Sequence, residues 1–291
     1  MQQTFVRLRE ECGFKMIACL HCKPSGIMDA PDKGYVAKCK NVLRWLTGRT
    51  LRQVMRNMCK QSDEFVLLSD SFKKEMTNYY GVVETDCMKI IPNPLTFDGF
   101  ATEKQIRSKR KEVLIISRLH EKDKNLKAAF RIWKAIETSD TAGEWRLIMA
   151  GHGEDEQELL DYAEFLQLQH FEFVGRTDNP LELYQRASVF MMTSCNEGFG
   201  MTLTESQQNG VVPIAFGSFG AVYDIIDDGE NGYIIPPFDE KLYADKMLQL
   251  LSDDTLRIDM AKKAVESCKK FSIESVGQKW QDLLNSIDSK K

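Results

Sequence analysis

The stretch Ser188-Val189-Phe190-Met191-Met192-Thr193-Ser194-Cys195-Asn196-Glu197-Gly198-Phe199-Gly200-Met201-Thr202-Leu203-Thr204-Glu205 reads as a strand, a loop and the start of a helix. Its opening run, Ser188 to Met192, is short and apolar without alternation, as in strands covered on both faces of a parallel sheet. Gly198 and Gly200 punctuate the loop, and a helix is predicted from Thr202 to Asn209. Glu197 therefore stands at the carboxyl end of a strand, the edge where open α/β sheets bind ligands, and Glu205 falls in the first turns of the helix. Glycines let main-chain N–H groups approach a ligand, and a helix N-terminus favours an anion such as a diphosphate. An ionised carboxylate only accepts hydrogen bonds, so each glutamate suits a sugar diol.

Outward from this unit the pattern repeats. Strands are predicted at Val113 to Ser117, Trp145 to Ala150, Phe171 to Val174, Val212 to Phe216 and Gly232 to Ile235. Helices alternate with them at Leu126 to Ile136, Glu156 to Leu166, Pro180 to Gln185 and Ala221 to Ile226. Six strands with crossover helices make a complete Rossmann-like domain. Glu240 to Leu251, Leu256 to Lys269 and Ile273 to Ile287 follow as amphipathic helices. The first part is sparser, with strands at Lys15 to Leu20, Glu64 to Leu68 and Met88 to Ile91 and helices near Tyr35 to Leu46, Thr50 to Cys59 and from Phe72. Pro92 and Pro94 close it, and a polar, basic linker is expected to about Arg110. The expectation is α/β, with an incomplete Rossmann-like domain at 1–110 and a complete one at 111–291.

Further residues gather at the same sheet edge. Ile116-Ser117-Arg118-Leu119 precedes Lys122, Lys124 and Asn125, placing cations beside the glutamate loop, where they can neutralise a departing diphosphate. Glu197 and Glu205, eight positions apart, resemble the E-x7-E motif of glycosyltransferase family 4, whose members share the two-domain GT-B fold and retain the anomeric configuration of the donor sugar. The resemblance implies that Glu197 faces the transferred sugar, that Glu205 holds the ribose, and that Gly198, Phe199, Gly200, Met201 and Thr202 line the donor. Arg118 and Lys124 are similar to the family's G-R-L-x(4-5)-K pattern, with Ser117 in place of the usual Gly, and become the diphosphate contacts. Gly151-His152-Gly153 resembles the family's G-x-G turn, Phe173-Val174-Gly175-Arg176 the segment that reads the base, and Gly217-Ser218-Phe219-Gly220 a turn opening the next ligand-lining helix. His21, after the first strand, corresponds to a histidine that reaches the donor sugar. The implied co-substrate is a UDP- or GDP-type sugar used without a metal or cofactor, because no D-x-D cluster sits at a strand end. The implied acceptor is a glycan or lipid-linked saccharide, in a cytoplasmic setting.

Charge divides the chain unevenly. Residues 1–111 carry 20 Lys+Arg against 12 Asp+Glu, leaving 19 against 31 for the remainder. Between Lys33 and Lys60 there is no acidic residue, while Val42, Trp45, Leu46, Leu51 and Val54 interleave the cations. That composition suits peripheral contact with an anionic membrane surface, with a solvated helix pair as the bland reading and nucleic acid a distant third. No run approaches the roughly 18 to 20 apolar residues of a membrane span. Eight scattered cysteines fit free thiols, and Cys19-x-x-Cys22 lacks a second pair for zinc. The expected rival is a noncatalytic nucleotide-sugar binding subunit or a gene fragment, since the first part supplies few strands. A nicotinamide enzyme lacks its G-x-G-x-x-G, and a P-loop NTPase its G-x-x-x-x-G-K-[ST].

Overall fold

The computed structural model describes residues 15–21, 24, 51–82, 88–140 and 142–289. The chain divides into two compact units, one of residues 1–93 with 276–291 and the other Pro94–Ser275.

In the first unit, β1 (Ile17–Leu20), β2 (Glu64–Leu67) and β3 (Met88–Ile90) form a parallel sheet in that order, Cys19 opposite Val66 and Leu67 opposite Ile90. Helix α1 (Leu51–Gln61) precedes β2 and α2 (Asp70–Tyr80) follows it. Phe72, Met76 and Tyr80 recur every fourth residue and are buried, which fixes the inward face of α2. Gly81, at φ +61°, ends the helix, where a left-handed residue carries no Cβ penalty. Arg52 and Arg56, cations of the basic run, donate from Nε to the carbonyls of Tyr79 (3.1 Å) and Tyr80 (2.7 Å). These arginines thus serve the negative end of α2. The rest of the basic run, with the helix expected at Tyr35 to Leu46, lies outside the described residues.

In the second unit, six parallel strands run in the order β6-β5-β4-β7-β8-β9. They are β4 (Glu112–Ile116), β5 (Arg146–Ala150), β6 (Phe171–Gly175), β7 (Val189–Met192), β8 (Val212–Phe216) and β9 (Tyr233–Ile235). The helices from residue 103 onward are α3 (Glu103–Arg107), α4 (Glu121–Lys124), α5 (Leu126–Glu137), α6 (Glu156–Phe165), α7 (Pro180–Arg186), α8 (Met201–Gln208), α9 (Val222–Ile225), α10 (Glu240–Ser252) and α11 (Asp254–Cys268), with α12 (Ile273–Ser289) leaving the unit after Ser275. β4, β7 and β8 are apolar and almost wholly buried because helices cover both faces. Phe130, Trp133 and Ile136 of α5 share one core with Val113 and Ile115 of β4 and Leu147 and Met149 of β5. The strand order reverses direction between β4 and β7, so a crevice opens beyond their carboxyl ends.

The expected division at 110/111 differs from the observed breaks at 93/94 and 275/276. The segment read as a linker holds α3, which starts on a capping box of Thr102 and Gln105, and its Ile106 joins the second unit's core. At the other end, Val276, Leu283 and Ile287 of α12 pack with Val66 and Ile91, so the last helix returns to the first unit. An amphipathic stripe announces burial without saying which core receives it.

Candidate active site

The loops after β4 and β7 are laced together by main-chain bonds. The carbonyl of Asp123 accepts from the N–H groups of Cys195 (2.8 Å) and Asn196 (3.1 Å), and that of Lys124 accepts from the Thr193 hydroxyl (3.1 Å). Arg118 lies two residues beyond β4, and Lys124 closes the one-turn α4; Asn125, at φ +50°, turns the chain into α5. This lacing carries Lys124 to the glutamate loop.

Lys124 Nζ donates to Glu197 Oε1 at 2.5 Å, and the Ser194 hydroxyl donates to the same oxygen at 2.7 Å. Each side chain of the ion pair is only 14 % exposed. Oε2 of Glu197 remains to accept from a ligand, and an ammonium with three donors keeps two for a second anion. Arg118, 66 % exposed, reaches Asp123 at 3.2 Å. Asp123 also faces Nδ1 of His120 at 2.8 Å.

Glu205 is held otherwise. Its two oxygens accept from the hydroxyls of Thr96 (2.6 Å) and Tyr184 (2.9 Å). Tyr184 is fully buried, and burial, with Glu205 adding to it, pushes its phenol well above the usual range, so it acts as a donor. Glu197 is thus gripped by a cation and Glu205 by two neutral hydroxyls, within one strand, loop and helix. Gly200, at φ +92°, caps α8; Phe199 is buried against Phe271, and Met201 is exposed at the helix start.

The glycine turn after β5 is a matter of space. A Cβ on Gly151 would lie 1.8 Å from the Ser117 carbonyl oxygen, and one on Gly153 would lie 2.1 Å from that of Leu119. These close approaches align the β4 and β5 loops, and Gly151 N–H donates to the Gly175 carbonyl of β6 at 2.9 Å. Arg176, two thirds or more exposed, lies 4.0 Å from Asp178 and is not drawn into the Glu197 group. His21 follows β1 in the first unit and is exposed.

Sequence reasoning passed over Ser194, Asp123, Tyr184 and Thr96. Thr96 and Tyr184 stand 109 and 21 positions from Glu205, and only the folded chain joins them. Among the described residues one group has metal-ligand chemistry: His120, Glu154 and Asp155. Nε2 of His120 meets Glu154 at 3.0 Å, a contact within that group, and Nδ1 meets Asp123 at 2.8 Å.

A parallel sheet in this order is a Rossmann-like domain, and acidic and basic side chains meet at its switch point; with the likenesses that follow, the class is the GT-B type of glycosyltransferase. Solved structures bear the same architecture: Anabaena HepE, in complex with UDP and glucose, superposes with a TM-score of 0.76 at 15 % identity, covering 98 % of this chain and 75 % of that one. Staphylococcus aureus TarM, crystallised with UDP among its ligands, gives 0.71 at 21 % identity, covering 93 % and 51 %. The sequence profile of the glycosyl transferases group 1 matches residues 98–267, and the chain belongs to that family. An N-acetyl-D-galactosaminyltransferase of Campylobacter jejuni that acts on an undecaprenol-linked saccharide is 28 % identical over 204 residues, 69 % of this chain and 55 % of that protein. The amylovoran biosynthesis glycosyltransferase AmsD of Erwinia amylovora is 30 % identical over 190 residues, 65 % and 51 %. The chain spans about half the length of these two relatives.

Proposed function

We propose that this chain binds a nucleotide-diphosphate sugar of the UDP or GDP type and serves transfer of its hexosyl group, with retention of configuration, to a glycan or lipid-linked acceptor, as a member of glycosyltransferase family 4. The observation that carries the reading is the Lys124, Glu197 and Ser194 cluster at the switch point, with Arg118 beside it. In this reading Glu197 takes a hydroxyl of the transferred sugar on its open oxygen, and Glu205 takes the ribose diol. Gly198, Phe199, Gly200, Met201 and Thr202 bring the α8 N-terminus towards the donor. Arg118 and Lys124 stabilise the charge that develops on the departing diphosphate, the task a metal performs in other transferases. Gly151 shapes the diphosphate side and Arg176 the base side. No side-chain nucleophile is assigned.

The names of the relatives support an acceptor of the lipid-linked or surface-polysaccharide type. With such an acceptor, the cytoplasmic face of a membrane is the proposed place of work, with residues 33–60 as the contact; among the described residues no helix is long and apolar enough to cross it. A thermal-shift screen with UDP-, GDP- and ADP-sugars against NAD tests donor binding, since a ligand of the native state raises the midpoint. Shifts with one nucleotide sugar and none with NAD are expected, and the converse refutes the reading. Transfer to a lipid-linked acceptor separates the enzyme from a noncatalytic binding subunit.

A further inference from the structure

A second cavity lies at the opposite end of β4 from Arg118 and Lys124. Lys109, three residues before β4, lines a space of about 340 Å³ together with Asp98, Gln105, Ser108, Gln185 and Asn209. Its ammonium donates to the carbonyls of Tyr184 (2.8 Å) and Gln185 (3.2 Å) in the last turn of α7. Those oxygens are uncharged, and among the described residues Lys109 has no carboxylate partner. A cation partly withdrawn from water is ordinarily matched by a countercharge or shifts towards its neutral form, and loss of solvent pulls the half-buried Lys109 down to about 7.

A cavity of this size falls at the lower end of those that hold small molecules. We propose that it binds the anionic group of a small molecule, a sulfate, phosphate or carboxylate, with Lys109 as countercharge and the side-chain amides of Gln105 and Gln185 as further donors. Asp98 is the other ionisable group in the lining; it is exposed, sits on the 95–100 loop and opposes a second negative charge. The site is apart from Arg118, Lys124 and Glu197, which follow the other ends of β4 and β7, while Tyr184, whose carbonyl accepts from Lys109, gives its hydroxyl to Glu205.

The test uses the full chain with lysine labelled at Cε and sulfate as probe, whose charge is constant across neutral pH. The Lys109 signal is assigned by its loss in Lys109→Met, or in Lys109→Arg should the first variant not fold. With UDP present to fill the donor site, the Lys109 signal is expected to move saturably at roughly millimolar sulfate. Its titration midpoint should rise from about 7, and Asp98→Asn should tighten the response several-fold. A response that grows linearly and equals that of chloride at the same ionic strength overturns the proposal. So does an unmoved midpoint, or a response that UDP abolishes.

Discussion

Lys124→Met removes an ammonium 2.5 Å from a carboxylate when both side chains are 14 % exposed, and two separate losses follow. The first is in folding. Glu197 keeps one neutral donor, Ser194 at 2.7 Å. Stripping the partner from a fully buried charge costs about 3 to 5 kcal/mol, and residual water here lowers that to roughly 1 to 3 kcal/mol. Methionine keeps most of the apolar stem, so lost packing adds little. Glu197→Gln removes the other half of the pair, and the double variant should fall short of the summed costs by about 1 to 2 kcal/mol. Under the proposed function, the second loss is in donor binding. A preorganised cation at a leaving group contributes about a hundredfold in rate, and in binding its effect falls on phosphates alone. Urea denaturation of the four proteins measures the first loss, and calorimetry with UDP and with uridine, or their guanosine counterparts, measures the second. Lys124→Met should weaken the diphosphate at least tenfold and leave the nucleoside unchanged. Unaltered UDP affinity refutes the diphosphate role, and equal loss of UDP and uridine makes Lys124 a scaffold residue only.

Tyr184→Phe should do the converse, weakening uridine and UDP alike: Glu205 loses one of its two hydroxyl donors, at a folding cost of about 1 to 2 kcal/mol readable by denaturation. Gly151→Ala drives a Cβ into the Ser117 carbonyl, a clash between two main chains at φ +150°, and should cost about 3 kcal/mol with loss of the β4 and β5 loop alignment in calorimetry and amide exchange. Lys109 gives a pH dependence of known sign. Its folded value of about 7 lies below the unfolded 10.5, so the unfolded chain holds more protons between those limits, and stability should rise from pH 7 towards 10.5 as the penalty is relieved. Lys109→Met should flatten that rise in denaturation midpoints, and an unchanged slope would put the titration elsewhere.

The strand and helix pattern of residues 112–289 was legible because fully buried strands and amphipathic helices leave different periods in the sequence. Every strand expected there is present to within a residue or two, and the grouping of Lys124 with Glu197 follows from their places at adjacent strand ends. What escaped was tertiary in origin. Ile106 turns a polar linker into a docked helix, and Val276, Leu283 and Ile287 carry α12 to the first unit; neither destination is written in a local pattern. The ring of Tyr184 is buried on α7 while its hydroxyl serves Glu205, a pairing no local pattern announces. Within the basic run, Arg52 and Arg56 satisfy the carbonyls at the end of α2, pairings across 27 and 24 positions that no local pattern announces.

Under the proposed function, the pairing of charges at the switch point bears on how a donor would be selected. Arg118 faces Asp123 and Lys124 faces Glu197, so these four cancel before any ligand arrives. Cancellation spares the loops the repulsion that two adjacent cations would bring, and it removes the long-range field that would draw any polyanion. What remains is directional: a guanidinium with further N–H groups, an ammonium with two donors to spare, and a carboxylate with one open oxygen. A diphosphate sugar can use all three at once, its phosphates on the donors and a sugar hydroxyl on Glu197, whereas a bare polyanion uses only the first two. Because each cation is held by its own acid, and the loops by main-chain bonds from Asp123, the donors stand in place without the ligand to assemble them. Affinity built this way should fall less steeply with salt than two unpaired cations would dictate, since screening acts on net fields more than on short, partly shielded bonds.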